Sequence, residues 1–323
     1  MPKNEEKIRG VSYNFIQEFK KSGLYDLYKS HKKDLFLGIR CGYINLYYNC
    51  ASVGKVEYHP RKEPKMICKI HKKYLKEGKK GYTEKTPKEV IHRYDEIIKN
   101  IKKEYPENTH PEKAAQQRII RKNNENFIKQ KSNWFCVDIE YIRHRNSSKD
   151  PNYGRYDIIA ISNDKPRKIA LIELKYEPGA LGGSSGIVEH TRKYLGLLEY
   201  LKTEEHKKLF KKEIMSIVEN LYELGICKFK IEDENELVDN LGFYFLTLNN
   251  KQDKLKRTFR RYLFENEEGR PKRTITVEKE LGEKLQKIDE NLRPKYLFSD
   301  DEKDDIKIQD IIEDENYTGV EIR

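Results

Sequence analysis

Apolar side chains recur at Val11, Phe15, Phe19 and Leu24 between residues 11 and 33. This is the spacing of a helix that buries one stripe, and the rhythm breaks near Gly23. The period then shortens. "LFLGIRCGYINLYYNCASVGKVEYH" reads as short strands parted by "CG" and "NCAS", and "KMICKIH" adds another. These elements predict a small helix-plus-β-meander accessory domain over residues 1–75. Residues 76–90 are polar and carry Gly78, Gly81 and Pro87, which reads as a linker.

Helical spacing returns in "PKEVIHRYDEIIKNIKKEY" and "PEKAAQQRIIRKNNENFIKQ". Pro111 falls in the first turn of the second stretch, where a missing N–H costs nothing. Three strands follow, "WFCVDIEYI", "RYDIIAI" and "IALIELKY", the first two parted by the loop "RHRNSSKDPNYG". A Gly/Ser-rich loop, "EPGALGGSSG", leads into the helix "IVEHTRKYLGLLEYL"; a second helix (206–223) and the strand "GFYFLTL" complete the set. Helix, three-stranded meander, helix, strand is an α/β order with a mixed sheet, assigned to residues 91–250. Residues 251–299 are expected to be mainly helical, including the basic "KLKRTFRRYLF", and residues 300–323 to form an acidic tail.

Composition adds charge to this outline. Charged residues make up 37% of the chain, above the roughly 25% of ordinary domains. The net charge is +11, but residues 1–134 hold 31 Lys and Arg against 16 Asp and Glu, a local +15. Such a basic body either suits a polyanionic partner, because Lys and Arg displace counterions from phosphates, or is simply a lysine-rich surface. The five cysteines are irregularly spaced and form no disulfide framework. "CKIH" (Cys68, His71) has zinc-like spacing, but no second ligand pair accompanies it. The N-terminus lacks an apolar signal region and no run approaches 18 apolar residues, so the expectation is a cytoplasmic protein with no membrane partner. "GALGGSSG" has no G-K-[ST] after it, so nucleotide triphosphate use is unsupported.

Three charges sit where strand cores exclude them. Asp157 opens "DIIAI", while Glu173 and Lys175 lie inside "IALIELKY". Side chains alternate along a strand, so Leu171, Glu173 and Lys175 share one face. The two strands are consecutive and separated by a short turn, hence adjacent and antiparallel. Two carboxylates and an ammonium then converge. A divalent cation would compensate the carboxylates, and oxygen-only donors point to Mg²⁺ or Mn²⁺.

Acid on one strand and Glu-x-Lys on the next, followed by a helix, resembles the PD-(D/E)xK nuclease superfamily, the restriction-endonuclease-like fold. Tyr156 stands where the family's nominal Pro precedes the acid. The resemblance implies an αβββαβ core, with Asp157 and Glu173 as metal ligands, the Leu174 carbonyl as a further one, and Lys175 as the catalytic lysine. If the first two strands form a hairpin, Glu140 falls opposite Asp157 and joins the metal set, with Asp138 one pair further out; alternatively, D-x-E marks a solvent face. Glu112, in the first turn of the helix entering the core, is either another site acid or helix-dipole compensation. "H190-T-R-K-Y194" resembles the Q-x-x-x-Y element of RecB-like members, with His in place of Gln. Positions i and i+4 lie on one helical face, so both side chains would aim at the nucleic-acid side of the sheet, the alternative being a capping-turn histidine and a packed aromatic.

The expected function is metal-dependent hydrolysis of phosphodiester bonds as an endonuclease or exonuclease. DNA is favoured over RNA, in restriction, defence or repair, and a homodimer is allowed. The alternative is a catalytically idle nuclease fold that binds nucleic acid or regulates.

Overall fold

Strand formation begins where β-branched and aromatic residues cluster between turn signals. The computed structural model describes residues 8–142, 153–177, 180, 186–249, 283–289, 292–299 and 306–313. Five antiparallel strands form a first sheet in sequence order: β1 (Leu35–Ile39), β2 (Tyr43–Tyr48), β3 (Ala51–Tyr58), β4 (Met66–His71) and β5 (Tyr82–Lys85). Strand β4 alternates buried and half-buried residues, as expected for one core face and one wetter face. Cys68 is buried and His71 half-buried on opposite faces of this strand, and the His71 ring nitrogen accepts a hydrogen bond from the Lys73 amide.

The helices of this region are α1 (Tyr13–Lys21), α2 (Leu24–Ser30), α3 (Pro87–His92) and α4 (Tyr94–Glu104). Ser12 caps α1 by accepting from the Phe15 amide. A reciprocal Thr86–Glu89 capping box starts α3, with Pro87 in the first turn. Helix α3 packs on β4 and α4 on β3, burying Val90, Ile97 and Ile101 with Val53, Val56 and Ile70. Each such side chain contributes about 1.5–3 kcal/mol on leaving water. The stretch 76–90 is therefore no bare linker: β5 pairs with β4, and α3 begins at Pro87.

A second sheet has the order β10-β9-β8-β7-β6. Its strands are β6 (Trp134–Ile142), β7 (Arg155–Ser162), β8 (Arg167–Tyr176), β9 (Leu237–Leu248) and β10 (Lys295–Ser299). Strand β8 runs antiparallel to β7 and parallel to β9, and β10 is parallel to β9. Helix α5 (Pro111–Ile128) precedes β6, and α6 (Ile187–Tyr200) and α7 (Glu204–Glu223) lie between β8 and β9. The class is thus mixed α and β, with one antiparallel and one mixed sheet.

Two expectations for the C-terminal part change. Residues 295–299 form a strand rather than helix, because they pair in parallel with the edge of β9. Within the acidic tail, α8 (Ile308–Glu313) is helical, and Asn123 bonds the chain just before it through the Ile306 carbonyl and Ile308 amide. The segment "KLKRTFRRYLF", most of the β6–β7 loop and most of the Gly/Ser loop lie outside the described residues.

The chain divides into two compact units: Met1–Arg121 with Val137–Ile139 and Lys208–Glu234, and Lys122–Cys136 with Glu140–Lys207 and Asn235–Arg323. The boundary expected near residues 76–90 falls inside the first of these. No helix among the described residues is long and apolar enough to cross a membrane.

Candidate active site

Strand β8 is the centre of the site because it is flanked on both sides, by β7 and β9. Its register with β7 pairs Ile158 with Ile172 and Ile159 with Leu171. Continued by one step, this register sets Asp157 opposite Glu173, and directly opposed residues share a face. Beyond Ile172 the ladder opens, and the Leu174 amide donates to Asp157 Oδ2 at 2.8 Å. In an extended strand a residue's N–H and C=O point to the same side, so the Leu174 carbonyl also faces the β7 edge.

All three charged groups are buried: Asp157 is 7% exposed, Glu173 3% and Lys175 4%. Isolated ions at such depth would each cost several kcal/mol. Lys175 Nζ donates to Glu173 Oε1 at 2.6 Å, and His190 Nδ1 lies 3.1 Å from the same oxygen. His190 reaches it from the first turn of α6, on the flank of the buried stripe Ile187, Thr191, Tyr194 and Leu197.

The His190–Glu173 spacing is within ion-pair distance, but the surroundings of the imidazole disfavour its charged form. Burial first, then the positive charges of Lys175, Lys193 and Arg155, push its pKa down to about 3 against the opposing pull of Glu189. Tyr156, between Arg155 and Asp157, is fully buried with its hydroxyl donating to the Tyr153 carbonyl. Burial, with Tyr194 and Glu173 nearby, holds that phenol well above its ordinary pKa.

Several sequence candidates fall elsewhere. Glu140 pairs with Arg155 at 3.0 Å, and its backbone has φ 50°, a left-handed step that interrupts the strand alternation used to place it. Asp138 is fully buried but is claimed by arginines: Arg9, and Arg40 Nη1 at 2.5 Å. Tyr194 does not share an outward face with His190. It is fully buried, stacks on Phe243, and sets its hydroxyl against the carbonyls of Leu241 and Leu292. Glu112 is half-buried in the first turn of α5, where a carboxylate complements the helix N-terminus.

Among the described residues, no group of three or more His, Cys, Asp or Glu side chains is gathered as a metal cage, so the expected set of Glu140, Asp157 and Glu173 is not assembled. Two carboxylates and a carbonyl remain. These are hard oxygen donors, and Mg²⁺ characteristically takes one or two carboxylates while keeping waters and substrate oxygens. The donor chemistry fits such an ion.

Sequence reasoning did not single out Arg155 or Lys193. The available signals were their spacings: Arg155 is two residues from Asp157 on the same strand, and Lys193 three from His190 on the same helix.

No family model matches this chain, and neither do the curated proteins or solved structures with which it was compared.

Proposed function

We propose that the chain is a metal-dependent nuclease of the PD-(D/E)xK type, with a restriction-endonuclease-like core built from α5, β6–β8, α6 and β9. The reading rests on one observation above others: Glu173 and Lys175 are buried on the central strand β8 while Asp157 meets its backbone from β7. Strand interiors keep such costly groups where something uses them.

Asp157, Glu173 and the Leu174 carbonyl would hold a Mg²⁺ or Mn²⁺ ion. When bound, such an ion lowers the pKa of a water and stabilises charge on the phosphate. Lys175 would orient the attacking water or neutralise the developing negative charge. Water oxygen bonds to phosphorus as the P–O bond to the leaving nucleoside breaks. Residues 1–134, at net +15, would grip the polyanion by a salt-dependent contact. DNA is the favoured substrate on the family resemblance alone.

A second reading is an idle nuclease fold that binds nucleic acid without cutting. It is favoured by the double engagement of Glu173 Oε1, which compensates that carboxylate without a metal.

One assay separates the two. Purified protein is incubated with supercoiled, linear and single-stranded DNA and with RNA, in Mg²⁺, Mn²⁺ or EDTA, beside Lys175→Ala and Asp157→Ala. The nuclease reading expects cleavage that EDTA abolishes and that each variant lowers by about 10²-fold or more. Binding without cleavage in any metal, or equal cleavage by the variants, sinks it.

A further inference from the structure

Two side chains reach Glu173 from different elements and end on the same oxygen, Oε1: Lys175 Nζ, which donates from β8 at 2.6 Å, and His190 Nδ1, 3.1 Å away on α6. A carboxylate oxygen facing the ring accepts rather than donates, so Nδ1 must bear a proton for the contact to hold. The two supports differ in stiffness. A lysine ammonium rides on a flexible four-carbon stem. The imidazole has two side-chain torsions, is 12% exposed, and belongs to a helix anchored by Ile187, Thr191 and Tyr194.

We propose that His190 is a positioning residue: its Nδ1–H clamps Glu173 Oε1 and so presets the carboxylate orientation that the cation meets. The proposal rests on the nuclease reading of the same site. It gives His190 a task within the protein, distinct from contact with nucleic acid. Hydrogen-bond partners of metal-ligating groups set ligand orientation, and their loss typically costs 10–100-fold in metal affinity.

The identity of the ring atom makes the idea testable. An asparagine amide can stand where Nδ1 stands, whereas a glutamine amide reaches the Nε2 position. Mn²⁺ affinity of the full chain, read by electron paramagnetic resonance, is compared for wild type, His190→Asn, His190→Gln and His190→Ala. Urea midpoints confirm that each variant folds. The expectation is a loss of about 10-fold or more for His190→Ala and His190→Gln, with His190→Asn within about 3-fold of wild type. Cleavage should follow with lower kcat and little change in KM for the nucleic acid. Nitrogen-15 spectra of the wild-type imidazole should show the Nδ1–H tautomer.

Unchanged Mn²⁺ affinity in His190→Ala, rescue by Gln but not Asn, or an Nε2–H tautomer overturns the proposal. A wild-type chain that binds no Mn²⁺ and cleaves nothing overturns the nuclease reading instead. The tautomer spectrum then still decides whether His190 holds Glu173.

Discussion

Removing the negative charge of Asp138 should destabilise the protein about as much as truncating a large apolar side chain of its core. Asp138 is fully buried and sits between two arginines, Arg9 and Arg40, whose side chains are 4% and 7% exposed. Arg40 also donates to the Tyr47 hydroxyl and to the carbonyls of Ile39 and Ile139. Burial alone would lower its pKa, but Asp138 and Tyr47 overcome that and hold it above the ordinary value. Arg9 has a second acid near it, Glu213, at 3.8 Å. Asp138→Asn keeps the shape and removes the charge, leaving Arg40 with neutral partners only among these contacts. Breaking a buried pair in this way costs about 3–5 kcal/mol, a large share of a total stability of roughly 5–15 kcal/mol. Arg9 is cushioned by Glu213, so the lower half of that range is expected.

The measurement is urea unfolding followed by far-ultraviolet circular dichroism. The same scan on Arg40→Met with Asp138→Asn should recover part of the loss, because the uncompensated cation is then gone. Replacing Arg9, Arg40 and Asp138 together by Met, Met and Leu should be near neutral or stabilising. A cost below about 1 kcal/mol for Asp138→Asn, or no recovery in the double variant, would refute this account of the cluster.

Other outcomes follow from the same structure. A Cβ at Gly38 would meet the Arg40 guanidinium at 2.8–3.0 Å. Gly38→Ala should therefore cost about 1–3 kcal/mol in the wild-type background and much less beside Arg40→Met, both read from urea midpoints. Of the five thiols, four are buried and Cys41 is half-buried, and burial first, then Glu89, pushes Cys68 up to about 12. A disulfide reagent at neutral pH should label Cys41 alone in the native protein and all five in denaturant; rapid native labelling of Cys68 would contradict the packing. Acid should destabilise the fold through His190, whose folded pKa is pushed down to about 3 by burial and by Lys175, Lys193 and Arg155, against Glu189. The unfolded imidazole titrates near 6.5, so the unfolded state binds the proton first. Stability is then full above about pH 6.5 and falls by up to about 1.4 kcal/mol per pH unit toward pH 3. His190→Asn should flatten that slope between pH 6.5 and 4.5 in urea titrations, and an unchanged slope would assign the acid sensitivity elsewhere.

Local patterns in the chain were enough for the strand and helix order from α5 to β9. Glu173 and Lys175 share a face of β8 because alternation is a property of any extended strand, and a short turn makes β7 its antiparallel neighbour. The partner of a buried acid is not local in this sense. Asp138 finds Arg9 and Arg40 across 129 and 98 residues of sequence, so no spacing rule could have assigned it to them rather than to a metal. Glu140 is held by Arg155 at a residue of positive φ, a backbone step that the alternation rule assumes away. Tyr194 was read from helical spacing alone, and only the packing of α6 against Phe243 decided that it points inward. Residues 295–299 became a strand because β9 offered them an edge, a fact about a neighbour rather than about those five residues. Periodicity sets which residues can share a face; which face is filled, and by whom, is decided when distant segments compete for the same buried partners.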